Sequence, residues 1–331
     1  MILRVVAVAM LVWGLTSPAP ARGQTLFGYW DHAYAHAGNE QHIRDTAPYS
    51  NTTHAVRWYV EADWQEAARA NLGVVLMWPY DLWLTIDVTR PILWTTPVWG
   101  GSALQFAQAV LAHRDQVVAF NVIDEPGCGY NGAGVYAWTF DNCKRQGAKV
   151  EANIATIRTV FPWAKTMVID SSMWANWFVN DDGSARDPAR YGVTLPSADW
   201  IGLDCYTPFE SCFGRYKSLP VLVAGLAARM TAAQRVVLVP RAFSGLYLDY
   251  APSDAEVAAT ARQYATYARS NPRVCCVFPF IWWDLSSTLR GAQSSPTIRT
   301  AYEQIGFSLT GKSLAPPLPP SAPTGVRIVR E

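Results

Sequence analysis

Charge is scarce in this chain. Only 16% of its 331 residues are Asp, Glu, Lys or Arg, and 27 basic against 26 acidic residues leave a net charge of +1. An ordinary soluble domain carries about a quarter charged residues. Neither nucleic acid nor an anionic membrane surface therefore has an electrostatic claim on it. Histidine is also sparse, with five in all, and the cysteine spacings match no zinc pattern, so no metal and no cofactor is expected. No glycine-rich loop follows the first strand-like segment, which argues against a doubly wound dinucleotide-binding sheet. No apolar run reaches the length that spans a bilayer.

The apolar run that opens the chain has a different reading. Arg4, the stretch Val5 to Leu15 and the small-x-small triplet Ala19-Pro20-Ala21 have the form of a secretory leader. Residues 1–21 are expected to be removed, leaving a mature chain that begins near Arg22, is secreted or periplasmic, stays off the membrane and is monomeric. Six cysteines suit that oxidising destination. Cys128 with Cys143 and Cys205 with Cys212 flank short loops, and Cys275 and Cys276 are adjacent; disulfides are expected, with the connectivity left open.

What is abundant is apolar and aromatic. Half of the residues are hydrophobic, and there are fifteen Trp and fifteen Tyr. Most of these belong to a core, but flat rings with a polar handle also suit the apolar faces and hydroxyl edges of sugars.

Strand-like and helix-like segments alternate along the chain. Strands are expected at Leu26 to Trp30, Thr53 to Tyr59, Gly73 to Trp78, Val117 to Ile123, Thr166 to Ile169, Trp200 to Leu203, Arg235 to Pro240 and Val274 to Trp283. Helical spacing marks Ala62 to Asn71, Ser102 to Arg114, Ala148 to Val160, Leu219 to Met230, Asp254 to Arg269 and Thr297 to Ile305. Eight strands separated by helices predict an α/β fold, a (β/α)8 TIM barrel in a single domain over residues 22–312. From 313 to 331 a Pro-rich tail follows. Asn51-Thr52-Thr53 has the form of a glycosylation sequon and is given no weight.

The organising stretch is Val117 to Gly127, an apolar run that stops at Asp124-Glu125-Pro126. Such a run suits a parallel strand covered on both faces, and Pro126 ends it. In this architecture chemistry sits at the carboxyl ends of the strands. There the sequence places Asp31, Asp81, Asp124 with Glu125, Asp170, Asp204 and Asp284, beside Trp30, Trp78, Tyr80, Tyr206, Trp282 and Trp283. Acids are disfavoured in strands and costly to bury, so their recurrence with aromatics points to a sugar-binding cleft equipped for proton transfer. Each acid taken singly has a plainer reading, as a helix cap or a partner for Arg.

With these residues in place, the chain resembles the glycoside hydrolase superfamily of (β/α)8 barrels. The likeness is to the retaining clan whose fourth strand ends in Asn-Glu-Pro, here Asp124-Glu125-Pro126. It extends to the tyrosine after strand six, Tyr206, and the tryptophan on strand eight, Trp282 or Trp283. The resemblance implies that Glu125 is the general acid and that Asp124 bonds the substituent at the sugar's 2-position. One departure is serious: the clan takes its nucleophilic Glu from strand seven, and here that strand reads Val237-Leu238-Val239-Pro240-Arg241-Ala242-Phe243, without a carboxylate.

Three mechanisms follow. An inverting enzyme uses Asp204 as base to a water, the two acids about 6.5–9.5 Å apart; a retaining one uses Asp204 or Asp284 as a relocated nucleophile at about 5–5.5 Å. Substrate assistance is the third, since β-hexosaminidases set an Asp beside the acid to orient a 2-acetamido group. The inverting option leads. The alternatives from other classes are a catalytically silent carbohydrate-binding barrel and, on the strength of Asp31-His32 and His36, a metal-dependent hydrolase.

Overall fold

The computed structural model describes residues 25–30, 39–86, 92–124, 140–171, 180, 184, 196–212, 217–247 and 250–313, with residues 140–146, 170 and 171 described as backbone only. Eight strands form one sheet: β1 (Leu26–Phe27), β2 (Thr52–Thr53), β3 (Gly73–Met77), β4 (Val117–Asp124), β5 (Lys165–Ser171), β6 (Trp200–Cys205), β7 (Arg235–Pro240) and β8 (Val274–Val277). Each is hydrogen-bonded to the next in chain order from β2 to β8, β8 pairs with β1, and every pairing is parallel.

The remaining seam, between β1 and β2, is bridged by one residue, through both its backbone and its side chain. Asn51 donates from its backbone N to Phe27 O at 3.0 Å. Its Oδ1 accepts from Phe27 N at 2.7 Å and its Nδ2 donates to Thr25 O at 3.1 Å. An amide thus continues the ladder where two-residue strands are too short to do so. Gly28 allows the approach: a Cβ there would lie 2.3 Å from Thr52 O. The sheet is a TIM barrel.

Alternation along the strands sorts the apolar residues into two layers. One layer, drawn from seven strands and including Leu26, Val75, Ala119, Met167, Ile169, Trp200, Val237, Val239 and Cys276, packs in the lumen. Their neighbours Val74, Leu76, Phe120, Val122 and Val168 face outward against helices, as do Ile201, Leu203, Val236 and Leu238 on the far side. The helices are α1 (Asn39–Thr46), α2 (Glu61–Arg69), α3 (Tyr80–Thr85), α4 (Ala103–Ala112), α5 (Phe140–Val160), α6 (Leu219–Ala227), α7 (Asp254–Ser270) and α8 (Pro296–Thr310). Capping boxes start α4 (Ser102 with Gln105) and α7 (Ser253 with Glu256), and Gly311, at φ 68°, ends α8 in the left-handed conformation. None of the described helices is long and apolar enough to cross a membrane.

Three expectations shift. The second strand is only Thr52–Thr53, because Arg57 turns the chain: its backbone N and its guanidinium both bond the buried carboxylate of Asp63, at 2.8 to 2.9 Å. Helix α1 has a largely polar sequence, and the face it buries, Asn39, His42, Ile43 and Thr46, is too polar to register as an apolar stripe. Strand β8 stops at Val277 instead of Trp283. The expected disulfide Cys205–Cys212 is present and Cys275 is bonded to Cys276; Cys128 and the side chain of Cys143 lie outside the described residues.

Two predictions test this packing. Gly28→Ala should cost about 2 kcal/mol or more, because backbone must move to admit the methyl group; an unchanged urea midpoint would contradict the close seam. At the other end of the barrel, Asp199 ties β5 to β6. Burial pushes its carboxyl up, but bonds from Thr166 N and Oγ1 and from Lys165 prevail, and the net direction is down. A depressed folded-state value means stabilisation present above the unfolded pKa of about 3.9 and lost as pH falls through the folded value. Asp199→Ala should therefore destabilise at pH 7, and its gap to wild type should narrow as pH falls below about 4, in parallel urea titrations.

Candidate active site

At the carboxyl end of the barrel the lumen gives way from apolar to polar side chains. On β6, Ile201, Leu203 and Cys205 face the helices and Trp200 faces the lumen, so alternation turns Asp204 inward at the strand's last turn. Asp204 is only 4% exposed. It stands opposite Ser171 of β5 and Val239 of β7. Tyr264 of α7, whose hydroxyl donates to Cys205 O at 3.3 Å, is pushed up by burial and by the Asp204 charge.

Asp124 ends β4, half-buried, opposite Ile169 of β5. A register shift between Asn121 and Ile123 precedes it, and such irregularities re-aim the side chains that follow. The fully buried Asn121 braces the shift: in the amide orientation that satisfies it, the nitrogen donates to Met167 O (3.2 Å) and Ile123 O (3.0 Å). Strand β5 lies between Asp124 and Asp204. Two strand spacings and an offset of two residues put their Cα atoms about 10–12 Å apart before the side chains are counted. Glu125, the next residue, lies outside the described residues, as does Asp31. Asp170 is placed by its backbone alone, opposite Leu203 in the register.

The wall on the β6 to β8 side is aromatic. Tyr206, half-buried, stacks on Phe280 at 5.4 Å and meets Phe243 and Tyr247 edge-on at 5.7 Å each. Behind it stands Arg241, just past the end of β7 and 4% exposed. Its guanidinium donates to four backbone carbonyls: Phe243 (2.9 Å), Tyr206 and Tyr250 (3.3 Å each) and Gly245. It also lies over the Phe243 ring at 4.2 Å. Among the described residues no carboxylate forms an ion pair with it. Burial pushes it down to about 10, opposed by Tyr250 and Tyr247, so it remains charged at neutral pH.

The other sequence-derived positions are spread more widely. Trp30 is 1% exposed inside the lumen, edge-on to His54 at 4.8 Å, which in turn meets Phe278 at 4.5 Å. Trp78 points outward, donating from Nε1 to Asn153 Oδ1 of α5 at 2.8 Å among Phe106, Phe120 and Phe161. Trp282 stacks on His42 of α1 at 5.3 Å and touches Tyr29, again in the outer layer. Asp81 is exposed in the first turn of α3. Asp284 is exposed and accepts from Gly291 N (2.8 Å) and Ser294 Oγ (2.7 Å), tying the loop before α8.

The structure thus groups Asp124, Asp204 and Tyr206 at one end of the barrel and adds Asn121, Arg241, Phe243, Tyr247 and Phe280. The sequence signal for Arg241 was a single arginine directly after Pro240, at the strand end that lacks an acid. Among the described residues, no group of three or more His, Cys, Asp or Glu is placed to hold a metal ion.

Because Arg241 supplies donors to four carbonyls that converge on it, Arg241→Met should lower stability by about 3 kcal/mol. Arg241→Lys should recover only part, since a single ammonium cannot span a fork of acceptors. Thermal unfolding of both variants measures this, and a wild-type melting temperature in Arg241→Met would refute it.

No protein-family model matches the chain, and no curated protein matches it. Solved structures with a similar fold include native xylanase 10B from Thermotoga maritima, at 11% identity over 89% of this chain and 100% of that one, TM-score 0.47. The endo-1,4-β-xylanase XylE of Penicillium canescens matches at 14% identity over 88% of this chain and 96% of that one, TM-score 0.48. The β-glucuronidase 2 of Bacteroides uniformis matches at 11% identity over 88% of this chain, with TM-score 0.47, and the chain spans only 35% of its length.

Proposed function

We propose that the chain is a secreted hydrolase of O-glycosidic bonds in a polysaccharide or oligosaccharide. Glu125 is the general acid, Asp204 the base and Asp124 the partner of the sugar's 2-substituent. The observation that carries the reading is Asp204: a buried carboxylate on the inner face of the barrel, at its chemical end, beside the aromatic wall and one strand removed from β4. Tyr206 offers that wall to the sugar, while Asp31, Asp81 and Asp170 are proposed hydroxyl partners.

In the reaction Glu125 gives its proton to the glycosidic oxygen as the bond from the anomeric carbon to that oxygen breaks. Asp204 takes a proton from the water that attacks the opposite face, and exchange with solvent resets both acids. Two features support inversion over double displacement. The end of β7 holds Arg241, bonded to four carbonyls, and both carboxylate oxygens of Asp284 are engaged in their own loop.

Arg241 also favours the second reading, a barrel that binds carbohydrate without cleaving it. Assays of wild type, Glu125→Gln and Asp204→Asn against aryl glycosides and polysaccharides separate the two. The hydrolase reading expects each variant to lose at least about 100-fold in kcat, and NMR of the first product to show the inverted anomer. Equal cleavage by all three proteins removes the roles of both acids; binding without any cleavage establishes the silent barrel.

A further inference from the structure

Exposed apolar side chains are concentrated in one stretch of the chain. Of the nine large hydrophobic residues that are exposed among the described residues, six fall between Tyr59 and Leu104: Tyr59, Tyr80, Leu84, Leu93, Trp99 and Leu104. These belong to the connections that follow β2 and β3, to α3 and to the first turn of α4. Connections that follow strands emerge at the end of the barrel where Asp124 and Asp204 lie. Concentrated apolar exposure of this kind marks a binding surface.

Within that stretch are two rings whose positions are set by their surroundings. Trp99, 60% exposed, sits at the tip of a hairpin between Pro97–Val98 and Gly101–Ser102. Its Nε1 donates to the hydroxyl of Tyr59, 36% exposed, at 2.9 Å across forty residues of chain. Gly100, at φ +88°, packs close against the Tyr59 ring, where a Cβ would come within 2.2 Å of it. Beneath, Trp58 is edge-on to Tyr59 and to Phe106 of α4, at 5.5 Å each, and is buried. The side chains flanking the hairpin tip, Thr95, Thr96, Ser102 and Gln105, are uncharged hydrogen-bonding groups.

Both aromatic polar handles are joined to each other, so what the pair presents to solvent is ring surface with neutral donors and acceptors around it. That is the chemistry of a pyranose: an apolar face of C–H bonds bordered by hydroxyls. We propose that Trp99 and Tyr59 form a stacking subsite for one sugar of a neutral glycan chain whose other end reaches the barrel mouth. The inference deepens the function proposed above and rests on it for the identity of the ligand. It makes the substrate a polymer or long oligomer, held well beyond the bond that is cut. Ordering of the rings by Gly100 and Trp58 reduces what binding must spend on immobilising them.

Affinity electrophoresis tests it in gels containing soluble xylan, mixed-linkage β-glucan or galactomannan, with Glu125→Gln as the background so that no polymer is consumed. Retardation by at least one polymer is expected. Adding Trp99→Ala should weaken it about tenfold, and Trp99→Phe should keep part of it. Because Trp99 is largely exposed, the variants should melt with the parent, which circular dichroism checks. Retardation unchanged by Trp99→Ala, or absent with all three polymers, overturns the subsite. So does a concentration-dependent dimer that Trp99→Ala abolishes in sedimentation velocity, because the patch is then an interface between two copies. Cleavage by wild type with Trp99-independent retardation discards the subsite alone, whereas Trp99-dependent retardation without any cleavage discards the hydrolase reading alone.

Discussion

A parallel sheet covered on both faces has no tolerance for an open edge, and here the ring depends on one amide. The strands β1 and β2 have two residues each, too few for a ladder of their own. Asn51 substitutes its side chain for the missing backbone partner, accepting from Phe27 and donating to Thr25, while Gly28 lets the two strands approach. Unpaired polar groups at a buried seam are costly. Closure is also what gives the barrel an inside, and hence a direction in which Asp204 and Asn121 can point.

Once the ring is closed, the lumen is packed by Leu26, Val75, Ala119, Met167, Trp200 and Val237 and their neighbours. Polar chemistry is confined to the carboxyl end, where strands run out of partners. There the chain uses a buried cation as a structural hub. Arg241 gathers carbonyls from Tyr206, Phe243, Gly245 and Tyr250. It thereby joins the segment after β6 to the segment after β7 and holds the aromatic wall beside Asp204. The Cys205–Cys212 bond closes the first of those segments immediately after Asp204. The proposed site therefore rests on braces that carry no chemistry themselves.

The opposite side of the mouth is built differently. After β2 and β3 the chain makes exposed structure, α3 and the hairpin bearing Trp99, anchored by Trp58 and Gly100 to the layer between strands and helices. A buried wall on the β6 to β8 side and an open aromatic rim on the β2 to β3 side suit a ligand that is gripped at one end and laid over a surface at the other.

The order of strands and helices was legible in the sequence because burial on both faces demands continuous β-branched runs, and Val74-Val75-Leu76, Val117 to Val122 and Val236 to Val239 supply them. Strand-terminal acids were legible for the same reason, since Asp124 and Asp204 interrupt such runs. What the sequence left undecided is which way the aromatics turn. Trp30, Trp78, Trp282 and Tyr206 all follow the ends of strands, yet the first plugs the lumen, the next two pack under helices and Tyr206 meets the mouth. Side-chain direction at a strand end depends on register shifts and on partners distant in the chain, such as Asn153 for Trp78 and His42 for Trp282. Local pattern determined where the barrel's strands lie; contacts between remote segments alone decided which of their last residues face the mouth of the barrel.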